Sequence, residues 1–216
     1  MNIDFARQQM IDQQVRAWTV LDPAVLAVLS TVPREDFVPP SYESLAFADT
    51  EIPLGHDEFM MTPTIEGRVL QALELRANDH VLEIGTGSGF LAACLARLAG
   101  TVTSVDIHED FVRDAGHKLA GAGIDNVELQ TLDATRELPG DGYDAIAVTG
   151  SIETFDPRFV EALRPGGRLF VVVGSMPIMD ARLVRRTGDT DWKSESLFET
   201  SLGPLVHGTL PPRFEF

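Results

Sequence analysis

The sequence predicts an α/β protein built on a doubly wound, mostly parallel sheet, with N-terminal helices and a C-terminal antiparallel edge. Three observations predict it. Val81 to Phe90 (VLEIGTGSGF) runs from an apolar strand through a glycine turn into a helix start. From there to Gly174, strand patterns and helical patterns alternate, the order that βαβ units produce. After Gly174 the pattern changes to short segments separated by turn residues, which predicts antiparallel strands closing the sheet. At 216 residues a single domain is expected: helices and a site-covering loop in 1–76, a ligand-binding core in 77–175 and edge strands in 176–216.

Each element has its own signal. Ile11, Val15 and Trp18 recur at helical spacing within FARQQMIDQQVRAW, predicting an amphipathic N-terminal helix. Asp22-Pro23 and Thr62-Pro63 are each an N-cap followed by proline at the first helical position, and apolar stripes follow both, the second ending near Arg76. Between these helices, Val32 to Asp57 is rich in Pro, Asp and aromatic residues without a sustained period. It is expected to be an ordered loop covering a ligand, with Asp49 and Glu51 either lining the site or solvating the loop. Further on, Phe90–Leu98, Phe111–Leu119 and Pro157–Leu163 read as helices. VTSVD, NVELQ, YDAIAVTG and RPGGRLFVVVG read as parallel strands, and ARLVRR, WKSESLFETS and PLVHG as antiparallel ones.

Composition excludes several classes. A net charge of −16 argues against broad contact with nucleic acid, which needs clustered Lys and Arg. The single cysteine, Cys94, excludes a disulfide framework, and with Leu91, Leu95 and Leu98 at helical spacing it reads as core. No apolar run is long enough to span a bilayer and no leader pattern is seen, so a cytoplasmic protein without membrane contact is expected. His56, His80, His108, His117 and His207 are scattered, no pair has metal-ligand spacing, and no metal site is expected.

The glycine turn carries the chemistry. Gly85, Gly87 and Gly89 let backbone approach a ligand closely because no Cβ intervenes. They run G-x-G-x-G with Glu83 inside the strand, whereas a dinucleotide fingerprint runs G-x-G-x-x-G. An acidic lip repels a pyrophosphate but suits the ammonium and sulfonium of S-adenosylmethionine. Asp106 ends the next strand about 20 residues on, where an acid takes ribose hydroxyls in this type of fold. S-adenosylmethionine is therefore favoured over a nicotinamide cofactor.

With these residues in place, the chain resembles the protein-L-isoaspartate O-methyltransferase family over nearly its whole length. The resemblance is carried by RQQMIDQQVRAW, VPREDFVPP, AFADTEIPLGH, VLEIGTGSGFLAACLA, Asp133-Ala134, YDAIAVTGS, LRPGGRLFVVVG and FETSLGPL. It implies a Rossmann-like class I methyltransferase that uses S-adenosylmethionine, releases S-adenosylhomocysteine and methylates a carboxylate of a damaged protein or peptide. It also implies that Gly85, Thr86, Gly87, Ser88 and Gly89 hold the methionine end, beside the Glu83 read above from its charge, Asp106 and Ile107 the ribose, and Asp133 and Ala134 the adenine. Thr149 is expected beneath the methyl group. A monomer or weak homodimer is expected.

The departure is as specific as the match. The family's serine, thought to orient the substrate carboxylate, falls at Met61, and methionine cannot donate a hydrogen bond. Thr62 is the neighbouring candidate, although it is also the natural N-cap of the next helix. A family glutamine after the fifth strand has no match in GSMPIMDARL. Arg34 is expected either to anchor a peptide carboxylate or to hold the protein's own loop, and His56 to face the site or solvent. Three alternatives stay open: another peptide or small-molecule acceptor, a cofactor-binding homologue without turnover, and a nicotinamide oxidoreductase.

Overall fold

The computed structural model describes residues 2–208. The N-terminal segment is not one uniform helix. Helix α1 (Ile3–Gln9) passes into a π-helical stretch, Met10–Val15, and a 3₁₀ turn, Arg16–Trp18. The changes of winding break the 3.6-residue phase, so Ile11 and Val15 are buried while Trp18 stays 40% exposed, edge-on to Phe198. Helix α2 (Pro23–Thr31) starts as its sequence predicts, with Asp22 Oδ1 accepting from the N–H groups of Ala24 and Val25.

The segment expected to be loop contains more structure than its composition suggests. It holds 3₁₀ turns at Arg34–Asp36 and Pro40–Leu45, then strand β1 (Ile52–Gly55), which pairs antiparallel with β2 (Glu58–Met60). The hairpin tip places His56 and Asp57 at φ of 54° and 62°, the positive-φ pair of a tight two-residue turn. Helix α3 (Pro63–Leu73) follows at once, capped by Thr62.

The core alternates β3 (His80–Ile84), α4 (Phe90–Leu98), β4 (Thr101–Asp106), α5 (Glu109–Gly121), β5 (Val127–Thr131), β6 (Tyr143–Ile152), α6 (Pro157–Glu161) and β7 (Leu163–Ser175). Strands β8 (Ile178–Arg186) and β9 (Trp192–Thr200) complete one seven-stranded sheet in the order β5-β4-β3-β6-β7-β8-β9. The first five strands pair in parallel and the last two antiparallel. Both sheet faces are covered, which explains the nearly continuous apolar strands. Val81, Ala145, Ala147, Phe170 and Val172 pack on one side with α2, α3 and α4. Leu82, Ile84, Ile146, Val148, Leu169 and Val171 pack on the other with Phe159 and Val160 of α6. Cys94 is fully buried in the first of these cores.

Two expectations need correction. Helix α6 stops at Glu161, because Leu163 already pairs with Tyr143 as the start of β7. PLVHG does not form an antiparallel strand: Pro204 makes one isolated parallel bridge with Ser151, and the chain then turns. Proline has no N–H to extend a ladder. Instead Ser151 N–H donates to Gly203 O at 2.8 Å and Leu205 N–H to Ser151 O at 2.9 Å, folding Leu202–Val206 back over the end of β6. Of the expected edge region, residues 209–216 lie outside the described residues. Among the described residues, no helix is long and apolar enough to cross a membrane.

Candidate active site

The chain leaves β3 with β4 on one side and β6 on the other, so the carboxyl ends of these strands open a crevice at a topological switch point. The glycine loop forms its floor. Gly85 and Thr86 both donate their N–H to Val105 O, tying the loop to β4. Gly85 has φ of +98°, and a Cβ there would lie 2.2 Å from Thr149 Oγ1. Thr149 itself donates toward the carbonyls of Ile84 and Gly85, both at 2.9 Å, which locks β6 against the turn. Gly89 has φ of +84° and packs against Ala115, allowing α4 to start beside α5.

Asp106 is buried, and its two oxygens accept from Gly87 N–H at 2.8 Å and His108 N–H at 3.0 Å. Ile107 and His108 line the cleft beside it. Asp133 Oδ1 accepts from Thr135 N–H, and Asp133 Oδ2 meets His207 Nδ1 at 2.9 Å. Partial burial pushes the Asp133 carboxyl up, but the hydrogen bonds from Thr135 and His207 prevail and hold it below the ordinary range. Ala134 lies buried next to it. Glu83, Thr86 and Ser88 are also buried around the loop. Ser104 Oγ donates to Glu83 Oε2, which leaves Thr86 to donate to Ser104 at 2.7 Å. Burial pushes the Glu83 carboxyl up to about 8, against the Ser104 hydrogen bond, and Glu83 Oε1 has no hydrogen-bond partner among the described residues.

The β1–β2 hairpin and the residues after it roof this cleft with Leu54, Glu58, Phe59, Met60 and Met61, and Leu202–Val206 supply another wall. The hairpin tip is tethered to α5: His56 stacks on His108 with ring centroids 4.1 Å apart, and His56 Nε2 lies 3.0 Å from Asp110 Oδ2. The histidines are thus not all scattered, since ligand atoms of His56, His108 and Asp110 come within 4.8 Å of one another. Their rings are parallel to within 8°, so the in-plane lone pairs do not converge on one point.

A second groove adjoins the first and shares Glu51, Phe59, Met61, Leu202, Gly203 and Pro204 with it. Asp49, Asp57, Thr62 and Thr64 also line it, with Trp18, Met176 and Met179 as apolar lining. Met61 is buried in the partition between the two spaces. Thr62 faces only the second, and its hydroxyl is committed. Thr64 gives its one proton to Asp49 at 2.8 Å, so Thr62 donates to Thr64 at 2.8 Å while accepting from Ile65 N–H at 3.4 Å. Arg34 is fully buried and holds the protein's own loop: Nη2 donates to Met61 O at 2.8 Å and the guanidinium rests 5.0 Å from the Phe90 ring.

Sequence reasoning missed Glu66, which lines the cofactor-side cleft from the first turn of α3 and is buried 3.4 Å from Arg34 Nη1. Burial pushes its carboxyl up to about 8, with Arg34 opposing. The available signal was weak, a charge flanked by Ile65 and Val69 on a buried helix face. Leu54 and the 202–206 segment were also missed, since only the folded chain brings them to the loop.

Comparison with known proteins agrees with this geometry. The family model for protein-L-isoaspartate(D-aspartate) O-methyltransferase matches residues 5–209. Protein-L-isoaspartate O-methyltransferase 2 of Pelobacter propionicus is 39% identical over 95% of this chain and 92% of its own. Protein-L-isoaspartate O-methyltransferase 1 of Rhodopseudomonas palustris is 38% identical over 93% and 82%. A putative protein-L-isoaspartate O-methyltransferase from Plasmodium falciparum, solved with S-adenosyl-L-homocysteine, shares the fold at a TM-score of 0.81 with 16% identity, over 95% of this chain and 98% of that one. A glycine loop, acids at the ends of β4 and β5, a roofing hairpin and a match across 5–209 together place the chain in the protein-L-isoaspartate(D-aspartate) O-methyltransferase family.

Proposed function

We propose that this protein is an S-adenosylmethionine-dependent O-methyltransferase that methylates a carboxylate of an isoaspartyl-type residue in a protein or peptide of the cytoplasm. The observation that carries this reading is the pair of adjoining clefts with Met61 in their shared wall. The cofactor fits the first cleft. Glu51, Glu58, Glu66, Glu83, Asp106 and Asp133 line it, no Lys or Arg does so among the described residues, and the glycine loop offers backbone without Cβ atoms. Such a lining suits a cationic ligand and not a pyrophosphate.

When bound, S-adenosylmethionine supplies an already activated methyl group. The chain's own part is alignment and exclusion of water. Gly85, Thr86, Gly87, Ser88 and Gly89 with Glu83 are the residues that would hold the methionine end. Asp106 and Ile107 would take the ribose, Asp133 and Ala134 the adenine side, and Thr149 would lie beneath the methyl group. The hairpin, tethered by His56 to Asp110, roofs the reaction. An acceptor carboxylate is ionised at neutral pH and needs no base. Its orientation cannot come from a serine at position 61, and Thr62 is occupied as a cap, so the buried Met61 shapes the passage between the clefts.

A second reading, an acceptor other than an isoaspartyl carboxylate, is favoured by that missing hydroxyl. The deciding experiment measures S-adenosylhomocysteine release with an isoaspartyl peptide and with its normal aspartyl counterpart. Turnover confined to the isoaspartyl peptide supports the first reading; cofactor binding without turnover on either peptide sinks it and leaves the second.

A further inference from the structure

Two carboxylates are buried at the cofactor-side cleft: Glu66 is 1% exposed and Glu83 0%. Each has an oxygen without a hydrogen-bond partner among the described residues, Glu66 Oε2 and Glu83 Oε1. The charged groups around them are few. Arg34 is the cation beside Glu66 and Ser104 the hydrogen-bond donor to Glu83, while Asp106 and Glu66 act electrostatically on Glu83, and Glu66, Glu83 and Arg34 on the Cys94 thiol. The Arg34 guanidinium serves Met61 O, Met60 Sδ and the Phe90 ring, and lies 3.4 Å from Glu66 Oε2. One buried cation therefore stands against two buried carboxylates, a local excess of negative charge on the wall of a cleft. An uncompensated buried carboxylate is costly, so it takes up a proton or awaits a cation.

We propose that Glu66 and Glu83 form a two-carboxylate receptor for the cationic methionine end of S-adenosylmethionine, making Glu66 a binding residue outside the glycine loop. This rests on the cofactor reading above. In the free protein the excess charge is quenched by protons, since burial pushes both carboxyls up to about 8. A ligand cation replaces the proton, so binding near neutral pH is coupled to proton release.

The test is titration calorimetry of wild type and Glu66→Gln with S-adenosylmethionine and S-adenosylhomocysteine, between pH 6 and 7, in buffers of different ionisation enthalpy. This window lies below the α-amino pKa of about 7.8, so the ligand's own ammonium stays charged. Expected for wild type are net proton release and an affinity that rises with pH, by about tenfold per unit for one proton. Glu66→Gln is expected to bind S-adenosylmethionine at least about tenfold more weakly, with less proton release. Release with both ligands assigns the ammonium as the partner, and release with S-adenosylmethionine alone assigns the sulfonium. Wild-type affinity that is flat in pH with no proton released overturns the proposal without needing a variant. So does a folded Glu66→Gln that binds like wild type. Binding of neither ligand to wild type is a different result, and defeats the cofactor reading itself.

Discussion

A methyl group at Gly85 has nowhere to go, because Thr149 Oγ1 occupies its place at 2.2 Å and the backbone φ of +98° disfavours any L side chain. Gly85→Ala should therefore abolish S-adenosylhomocysteine binding in calorimetry and lower the melting temperature. At Met61 the opposite experiment applies. If the acceptor is an isoaspartyl carboxylate, Met61→Ser restores an orienting hydroxyl and should raise kcat/KM by about tenfold, the scale of one hydrogen bond to a charged group; an unchanged kcat/KM would mean that orientation comes from elsewhere. Single residues of the loop were legible in the sequence because they are contiguous: Glu83, the glycines and Asp106 sit in or beside two strands. Glu66 was not, because an acid in the first turn of a helix ordinarily reads as a partner of the helix dipole. The fold buries it beside Arg34, remote in sequence, at 3.4 Å.

Among the elements, the 3₁₀ turn that carries Arg34 acts as a clamp between the roof and α3. Arg34→Leu removes the donor to Met61 O and the cation beside Glu66, which should cost about 1 to 3 kcal/mol in denaturant unfolding, the scale of a buried group left without its partner. A double variant, Arg34→Leu with Glu66→Leu, should recover part of that loss because the buried Glu66 carboxyl no longer stands without its partner. Strands β3, β6 and β7 were legible because burial on both faces leaves them largely apolar runs. The β1–β2 hairpin was not. Its turn is made by His56 and Asp57 in positive φ, with the glycine one residue before the tip, so the Asn-Gly type of signal is missing. The N-terminal segment was read as one helix with Ile11, Val15 and Trp18 on its apolar face, and Trp18 leaves that face because no sequence period announces a change of winding from α to π to 3₁₀.

For the whole molecule, the raised carboxyls of Glu66 and Glu83 make stability depend on pH in an unusual direction. The folded state holds these protons more tightly than the unfolded chain, so their contribution is fully present below about 4.5 and is lost as pH rises toward about 8. Ligand-free protein should therefore lose stability as pH rises from 5 to 8, measurable by denaturant titration. Saturating S-adenosylmethionine should flatten that slope. A melting temperature that rises across this interval would show that the two groups are ionised in the free protein. The doubly wound architecture was legible as an alternation of patterns, whereas the return of the chain at Leu202–Val206 was not, because a single bridge between Ser151 and Pro204 leaves no periodicity. That return has a consequence for synthesis. The glycine loop leaves the ribosome more than a hundred residues before the wall that Leu202–Val206 contribute, so the nascent chain can pair β3, β4, β5 and β6 while the ligand cleft is still open on one side. Completion of the cleft is thus a late event, and ligand capture can report that the chain has been made through to its last wall.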